Sequence, residues 1–203
     1  MKHPYIHVDH SGGRLMPVLN IAMVGSDDLA REIAKPTDQR DVHTYVHKES
    51  DADGPRILSI IRPAKYPERL RPFLNALSAA RVGIIEIERI DATLGEALVA
   101  FASSNLTKGM AIINAPDGEW VDEDQAKMLF KQAGLGEWTF AKGDGIELRT
   151  ILYGFMDSIA DELKANAEAP LVIPVDQHFN VKGIGLVAIG YVQSGTVKDR
   201  KST

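Results

Sequence analysis

Apolar runs alternate with amphipathic segments along most of this chain. Runs typical of β-strands lie at 18–24, 42–47, 56–61, 82–88, 109–114 and 138–141. Between them, apolar residues recur at the spacing of three and four that places side chains on one face of a helix. These residues are Leu70, Phe73, Leu74 and Leu77, then Leu94, Leu98 and Phe101, and last Ile151, Leu152, Phe155 and Ile159. The alternation predicts an α/β fold with a mainly parallel sheet flanked by helices.

The chain divides into three stretches. Residues 1–15 are polar, rich in His and Gly and without periodicity, so we interpret them as a disordered extension outside the fold. The α/β unit occupies 16–165, and a polar linker follows its last helix. From 170 to 203, two β-rich runs flank Gly183-Ile184-Gly185, which predicts a hairpin because glycine adopts positive φ without a steric penalty. A lone hairpin is marginal in water, so we expect this second domain to be incomplete at Thr203.

Composition narrows the functional classes. The chain has 203 residues, 44% of them hydrophobic and none of them cysteine, which excludes disulfides and thiolate metal sites. No run of about 18 apolar residues occurs, so we predict a cytoplasmic protein without a membrane partner. A net charge of −5 disfavours binding of nucleic acid by bulk electrostatics, so no DNA partner is expected and RNA contact must be local. A basic cluster at 62–71 is the candidate for such a contact, but we favour the interpretation that it is a solvated face.

The hairpin region resembles a known family. The matching residues are Pro174-Val175-Asp176, Phe179, Gly183, Gly185, Gly190 and Gly195-Thr196-Val197. They are similar to the opening hairpin of the second domain of translational GTPases, the family of elongation factor Tu and the selenocysteine-specific elongation factor. The resemblance covers 16–198, and it looks most like an archaeal-type paralogue with degenerate GTPase motifs. It implies a P-loop-GTPase-like domain followed by the first hairpin of an incomplete translation-factor β-barrel.

The phosphate-binding motif is altered. In active members of this family, Gly-x-x-x-x-Gly-Lys-Ser/Thr follows the first strand, and its amides and lysine hold phosphates. This chain has Gly25-Ser26-Asp27-Asp28-Leu29-Ala30-Arg31-Glu32 at that position. Gly25 is kept, whereas the second glycine, the lysine and the hydroxyl are missing. We interpret Asp27 and Asp28 as N-cap residues of a short helix that ends before Pro36.

The magnesium motif is also altered. The family resemblance implies Asp-x-x-Gly after the strand at 56–61, but the segment here is Ile61-Arg62-Pro63-Ala64-Lys65. Without the aspartate, magnesium-assisted hydrolysis by the usual route is not expected. Arg62 and Lys65 stay as candidate contacts for a phosphate or another anion.

The motifs that read the guanine base are partly kept. Asn114 and Asp117 hold the places of the family's Asn-Lys-x-Asp motif, with Ala115 instead of the lysine. Ala141 and Lys142 match the last motif, before Gly145-Ile146. The resemblance therefore implies candidate nucleotide-binding residues at Gly25, Asn114, Asp117, Ala141 and Lys142. Local turn and helix-start chemistry is the alternative explanation for both segments, and it is the one we favour.

A further candidate is a pair of carboxylates, Glu86 and Glu88, near the end of a predicted strand. An acid and base pair is one interpretation, since ligands bind at the carboxyl ends of strands in open α/β sheets. The other, which we favour, is a solvated rim, because residues two apart in a strand share one face.

Together these features predict a translation elongation factor-related protein with a degenerate guanine-nucleotide site, acting as a non-hydrolysing binding module. No catalytic or metal-binding residue is assigned, and GTP or GDP is the only cofactor to be considered. Expected partners are the ribosome, tRNA or another translation factor. Two alternatives stay open: a GTP-binding translational GTPase with non-standard phosphate contacts, and an oligomeric scaffold that pairs copies of the chain through the exposed barrel edge.

Overall fold

The computed structural model describes residues 18–40, 42–51, 54–104, 106–165, 168–173, 175–190, 194–195 and 197. The extension predicted at 1–15 lies outside the described residues. The strands are β1 (Val18–Val24), β2 (Lys35–Gln39), β3 (Val42–Asp51), β4 (Gly54–Pro63), β5 (Val82–Ile87), β6 (Gly109–Ile113), β7 (Thr139–Ala141), β8 (Val175–Val181) and β9 (Gly185–Gly190). The helices are α1 (Asp27–Ile33), α2 (Leu70–Ala79), α3 (Ala92–Ser103), α4 (Glu123–Gln132) and α5 (Gly145–Ala165).

Seven strands form one sheet in the order β2-β3-β4-β1-β5-β6-β7. The neighbours from β4 to β7 pair in parallel, whereas β2 and β3 run antiparallel to their neighbours. The predicted mainly parallel sheet is therefore confirmed. Since β1, β5 and β6 are central and parallel, their carboxyl ends meet at one edge, where the loops that follow them can form a site.

Two apolar clusters cover the two faces of this sheet. One contains Ile21, Met23 and Tyr45 with Leu148 and Leu152 of α5. The other contains residues of α2, α3 and α4 around an aromatic group: Phe73, Phe101, Phe130 and Trp138. The predicted buried face of α2 is confirmed for Phe73 and Leu77, whereas Leu70 and Leu74 are 54% and 46% exposed.

Strand β2 is absent from the sequence prediction. Its residues, Lys35-Pro36-Thr37-Asp38-Gln39, show no apolar alternation, and most of them are exposed. The strand lies at an edge of the sheet, where a proline is tolerated because one side of the strand needs no ladder hydrogen bonds.

The predicted hairpin is present as the antiparallel pair β8 and β9. Gly183 and Gly185 have φ values of 84° and 99°, the left-handed region that the Gly-x-Gly corner was expected to adopt. Several large apolar side chains of the hairpin are exposed, among them Val175, Phe179, Ile184 and Leu186. None of the helices in the described part of the chain is long and apolar enough to cross a bilayer.

Helix α5 is fixed to the sheet through Tyr153. The hydroxyl of Tyr153 lies 2.9 Å from Nδ1 of His47 on β3. Arg56 on β4 donates to the carbonyl oxygen of Tyr153 at 3.1 Å and to Asp157 at 2.6 Å, and its guanidinium lies 4.7 Å from the Tyr153 ring centroid. These contacts join strands β3 and β4 to the middle of α5.

His47 should make stability depend on pH. Burial, followed by the positive charge of Arg149, lowers the pKa of His47, and Glu49 opposes this shift less strongly. The folded state therefore favours neutral His47, so its contribution is fully present above the unfolded pKa of about 6.5 and is lost as the pH falls below it. Between about pH 7.5 and about pH 5.5 we expect the melting temperature of the wild type to fall further than that of His47→Gln. Parallel pH dependences for the two proteins in thermal melts would contradict this assignment.

Candidate functional site

The turn after β1 leads directly into α1. Ser26 is the N-cap, and its Oγ accepts a hydrogen bond of 3.1 Å from the amide of Leu29. Asp27 and Asp28 lie in the first helical turn, where carboxylates stabilise the helix dipole. The prediction of a short helix ending before Pro36 is confirmed, but the prediction that the two aspartates are the N-cap is wrong. Ser26 caps because it holds the extended backbone, φ −71° and ψ 160°, that an N-cap requires.

Glu86 of β5 points into this turn. Its side chain is buried, with the residue 7% exposed. Oε2 accepts a hydrogen bond of 2.5 Å from the backbone amide of Ser26, and Oε1 accepts one of 2.6 Å from Nδ2 of Asn114. The carboxylate therefore bridges the turn after β1 to the loop after β6, across the carboxyl end of β5.

Gly25 is required by this close approach. A Cβ atom added at Gly25 would lie 2.9 Å from Cβ and from Oε2 of Glu86, and 2.9 Å from Cε of Met23. Distances under 3 Å exclude a side chain unless the neighbours move. The glycine that the family resemblance assigns to phosphate binding is thus explained here by packing against a carboxylate.

The interpretation of Glu86 and Glu88 as a solvated rim is wrong for Glu86. Glu88 lies beyond the end of β5 and is exposed, so only this residue fits the prediction. The burial of Glu86 follows from its two hydrogen bonds, because a carboxylate enters a protein interior only when its oxygens find donors. The two carboxylates therefore lie in different environments, one buried and hydrogen-bonded and the other exposed.

Arg62 closes the other side of the turn. Nε of Arg62 donates to the carbonyl oxygen of Gly25 at 2.6 Å, and Nη1 lies 3.5 Å from Nδ1 of His43. Asp27 accepts hydrogen bonds from the Tyr45 hydroxyl and from Nε of Arg31. Arg62 thereby hydrogen-bonds to the protein's own backbone, although the sequence had made it a candidate contact for a phosphate or another anion.

Asp27 and Tyr45 alter one another's protonation. The hydrogen bond from Tyr45, followed by that from Arg31, lowers the pKa of Asp27. Burial, followed by the hydrogen bond to Asp27, raises the pKa of Tyr45 to about 12. Asp27 is therefore ionised and Tyr45 neutral at physiological pH, and the Asp27 carboxylate is ion-paired with Arg31.

The remaining candidate residues are spread along the same edge of the sheet. Asp117 and Lys65 are exposed. Ala141 is buried, 4% exposed, at the end of β7. Lys142 donates to Oε2 of Glu123 at 2.6 Å. Hydrogen bonds thus bring Gly25, Arg62 and Asn114 to the turn around Glu86, whereas Lys142 is bonded to Glu123 at the start of α4.

Sequence reasoning missed the residues that complete the turn. Tyr45 and His43 on β3 are placed by the pairing of β3 with β4, and no motif marked them. Glu86 carried one signal: it lies between Ile85 and Ile87 in a strand that is buried at every position. A carboxylate inside an apolar strand is rarely buried without a specific partner. Among the residues that the structure describes, no group of three or more His, Asp or Glu could hold a metal ion.

The comparisons with known proteins fit this fold. No model of a protein family matches the chain. A curated but uncharacterized protein of Methanocaldococcus jannaschii is 24% identical over 184 residues, covering 90% of this chain and 55% of that protein. The structure of a bacterial selenocysteine-specific elongation factor has a TM-score of 0.56 at 21% identity, over 90% of this chain and 35% of that one. The elongation factor SelB from Methanococcus maripaludis, solved with the GTP analogue GppNHp, has a TM-score of 0.54 at 17% identity, over 90% and 43% of the two chains.

The fold is therefore that of the GTPase domain of translation elongation factors, extended by a small antiparallel hairpin. The chain spans about half the length of the curated relative, at 55%, and less than half of each of these two solved structures. At such identities the likeness concerns the fold, so activity must be argued from the chain's own residues.

Proposed function

We propose that this chain is a translation-factor-related binding module whose guanine-nucleotide site is degenerate and does not hydrolyse GTP. The observation that carries the proposal is the Glu86 carboxylate, which accepts the Ser26 amide at 2.5 Å in the turn after β1. In nucleotide-binding relatives of this fold, the amides of that turn hold phosphates.

The carboxylates near the turn after β1 also support a degenerate phosphate site. Glu86 is buried beside the turn, and Asp27 and Asp28 begin the helix that follows. Negative groups a few ångströms from a triphosphate repel it, most strongly where burial limits screening by solvent. The lysine that offsets this repulsion in active relatives is absent from 25–32, and Ile61 stands where the magnesium-binding aspartate is expected.

The proposal assigns the candidate residues to two parts of one degenerate site. Asn114, Asp117, Ala141 and Lys142 belong to the base-binding part. Gly25, Arg62 and Lys65 belong to the phosphate-binding part. The GTPase-like unit comprises 16–165, and 170–203 begins the second domain. Translational partners, namely the ribosome, tRNA or another translation factor, are proposed from the resemblance of the fold to elongation factors.

Equilibrium binding of GTP and guanosine, with and without magnesium, tests this proposal. We expect GTP to bind no more tightly than guanosine and magnesium to have no effect, because Glu86 occupies the Ser26 amide, Arg62 is bonded to the Gly25 carbonyl, and the magnesium-binding aspartate is replaced by Ile61. Asp117→Ala is the matched variant: if the base site functions alone, this change should weaken the binding of both ligands equally. Micromolar, magnesium-dependent binding of GTP, or its hydrolysis, would refute the proposal and support the alternative of an active GTPase.

A further inference from the structure

A concave surface lies at one edge of the sheet, three strands away from β1 and the turn that follows it. Strands β5 and β6 separate β1 from β7, and the cleft opens between β7 and α4. Its volume is about 360 Å³. We define this α4–β7 cleft by its lining residues, Lys127, Phe130, Lys131, Gly136, Trp138 and Phe140.

The floor of the α4–β7 cleft is aromatic. Phe130 is 1% exposed and Trp138 4% exposed, whereas Phe140 is half-buried. The Phe130 ring centroid lies 5.1 Å from that of Phe140 and 5.8 Å from that of Trp138. Phe130 and Trp138 therefore form a rigid backing for Phe140, and the exposed part of the Phe140 ring is the apolar surface that a ligand side chain can contact.

The rim of the cleft is positively charged. Lys127 and Lys131 are four residues apart on α4, so they project from the same face of the helix. Nζ of Lys127 lies 2.8 Å from Oε1 of Glu123 and 5.6 Å from the Phe140 ring centroid. No ion pair to Lys131 is seen in the described part of the chain. Lys131 is therefore available to a carboxylate from outside.

The cleft runs beside a free sheet edge. Strand β7 is the last strand of the sheet and pairs in parallel with Met110, Ala111 and Ile112 of β6. Among the described strands, none lies on the other side of β7. An edge strand of this kind presents unpaired backbone groups to which an extended peptide can add.

We propose that the α4–β7 cleft binds an extended acidic segment of a partner protein. The segment pairs with the outer edge of β7, places one apolar side chain on the aromatic floor, and sets carboxylates against Lys127 and Lys131. Charge complementarity selects an acidic partner, because the two rim lysines have one carboxylate between them, that of Glu123, and Lys131 has no acidic partner among the described residues. The proposal goes beyond the guanine-nucleotide site and does not depend on it.

An array of immobilised peptides of about ten residues tests the proposal, because such peptides can add to a strand edge. Three classes alternate apolar residues with acidic, basic or uncharged residues, and the full chain is applied to all of them. We expect binding to the acidic class. For the best acidic peptide in solution, the double variant Lys127→Glu/Lys131→Glu should raise the Kd at least about tenfold, equivalent to about 1.4 kcal/mol.

Two further variants separate the cleft from general charge effects. Lys48→Glu/Lys182→Glu makes the same charge change at exposed lysines on β3 and in the hairpin turn, and should alter the Kd by less than about twofold. Gly136→Leu fills the cleft without a charge change. A Cβ at Gly136 would meet Lys131 at 3.5 Å, an ordinary contact, so this variant should fold. Thermal melts of all variants confirm that they are folded.

Four outcomes would overturn the proposal. If no peptide class binds, or if the basic class binds best, the cleft does not bind an acidic segment. Equal Kd values for wild type, Gly136→Leu and the Lys127/Lys131 variant place the peptide elsewhere. Unchanged affinity of a backbone N-methylated peptide shows that the edge of β7 is not paired, leaving only a side-chain site in the cleft.

Discussion

Replacing Trp138 with alanine is expected to lower the free energy of unfolding by about 3–5 kcal/mol. Trp138 is 4% exposed, and its Nε1 donates to the carbonyl oxygen of Leu106 at 3.1 Å. Its indole lies against the backbone of β5 and β6, where Gly83 and Gly109 are paired neighbours. The truncation leaves a large cavity between the sheet and the helices and also an unpaired buried carbonyl. Urea denaturation measures the loss, provided that the m-value is unchanged.

Trp120→Ala is the matched control. Trp120 is 80% exposed, so its removal should change the free energy of unfolding by no more than about 0.5 kcal/mol. A small effect of Trp138→Ala, similar to that of the control, would mean that the indole does not fill the space over the two glycines.

A second substitution tests the geometry directly. A Cβ at Gly109 would lie 2.5 Å from Cδ2 and Cε2 of Trp138, and its three nearest neighbours are all indole atoms. Gly109→Ala should therefore cost about 1–3 kcal/mol in the wild type. In the Trp138→Ala background the clash is gone, so the same change should cost little. The double-mutant cycle should give a coupling of at least about 1 kcal/mol, whereas additive effects would exclude this contact.

The elements with strong apolar periodicity were predicted from the sequence. β1 occupies Val18–Val24 as expected, and α3 carries Leu94, Leu98 and Phe101 on its buried face. β3 and β4 are each longer than predicted: β3 continues to Asp51, and β4 begins at Gly54. Their polar ends are held in the sheet because the two strands pair with one another. Backbone pairing leaves no trace in the apolar pattern, which is why β2 was missed altogether.

The candidate site was predicted only in part, because the contacts that assemble it join residues far apart in the sequence. Motif comparison identified Gly25, Arg62 and Asn114, which the structure gathers at one turn. It could not identify their common partner, because the Glu86 contacts to Ser26 and Asn114 span 60 and 28 residues of sequence. Compared with the family motif, the sequence lacks the second glycine, the lysine and the hydroxyl, but only the folded chain shows that the Glu86 carboxylate lies at this turn.

Glu86→Ala is expected to lower the free energy of unfolding by about 2 kcal/mol. The change leaves the Ser26 amide and the Asn114 amide group without their acceptor, and hydrogen bonds to a charged group contribute about 1.5–3 kcal/mol each. The desolvation of a buried carboxylate opposes this gain in the wild type, so the net loss is smaller than the sum of the two bonds. Equilibrium urea denaturation of the variant and the wild type measures the difference.

The control is Glu88→Ala, two residues along and exposed, which should change the free energy of unfolding by less than about 0.5 kcal/mol. Glu86→Gln adds a sharper comparison, because its carboxamide keeps the shape of the side chain but turns an NH₂ group toward one of the two donors. It should therefore remain destabilised although no cavity forms. If Glu86→Gln and Glu86→Ala were both as stable as Glu88→Ala, the carboxylate would not hold the turn. The proposed loss of the phosphate site would then have to rest on the missing lysine alone.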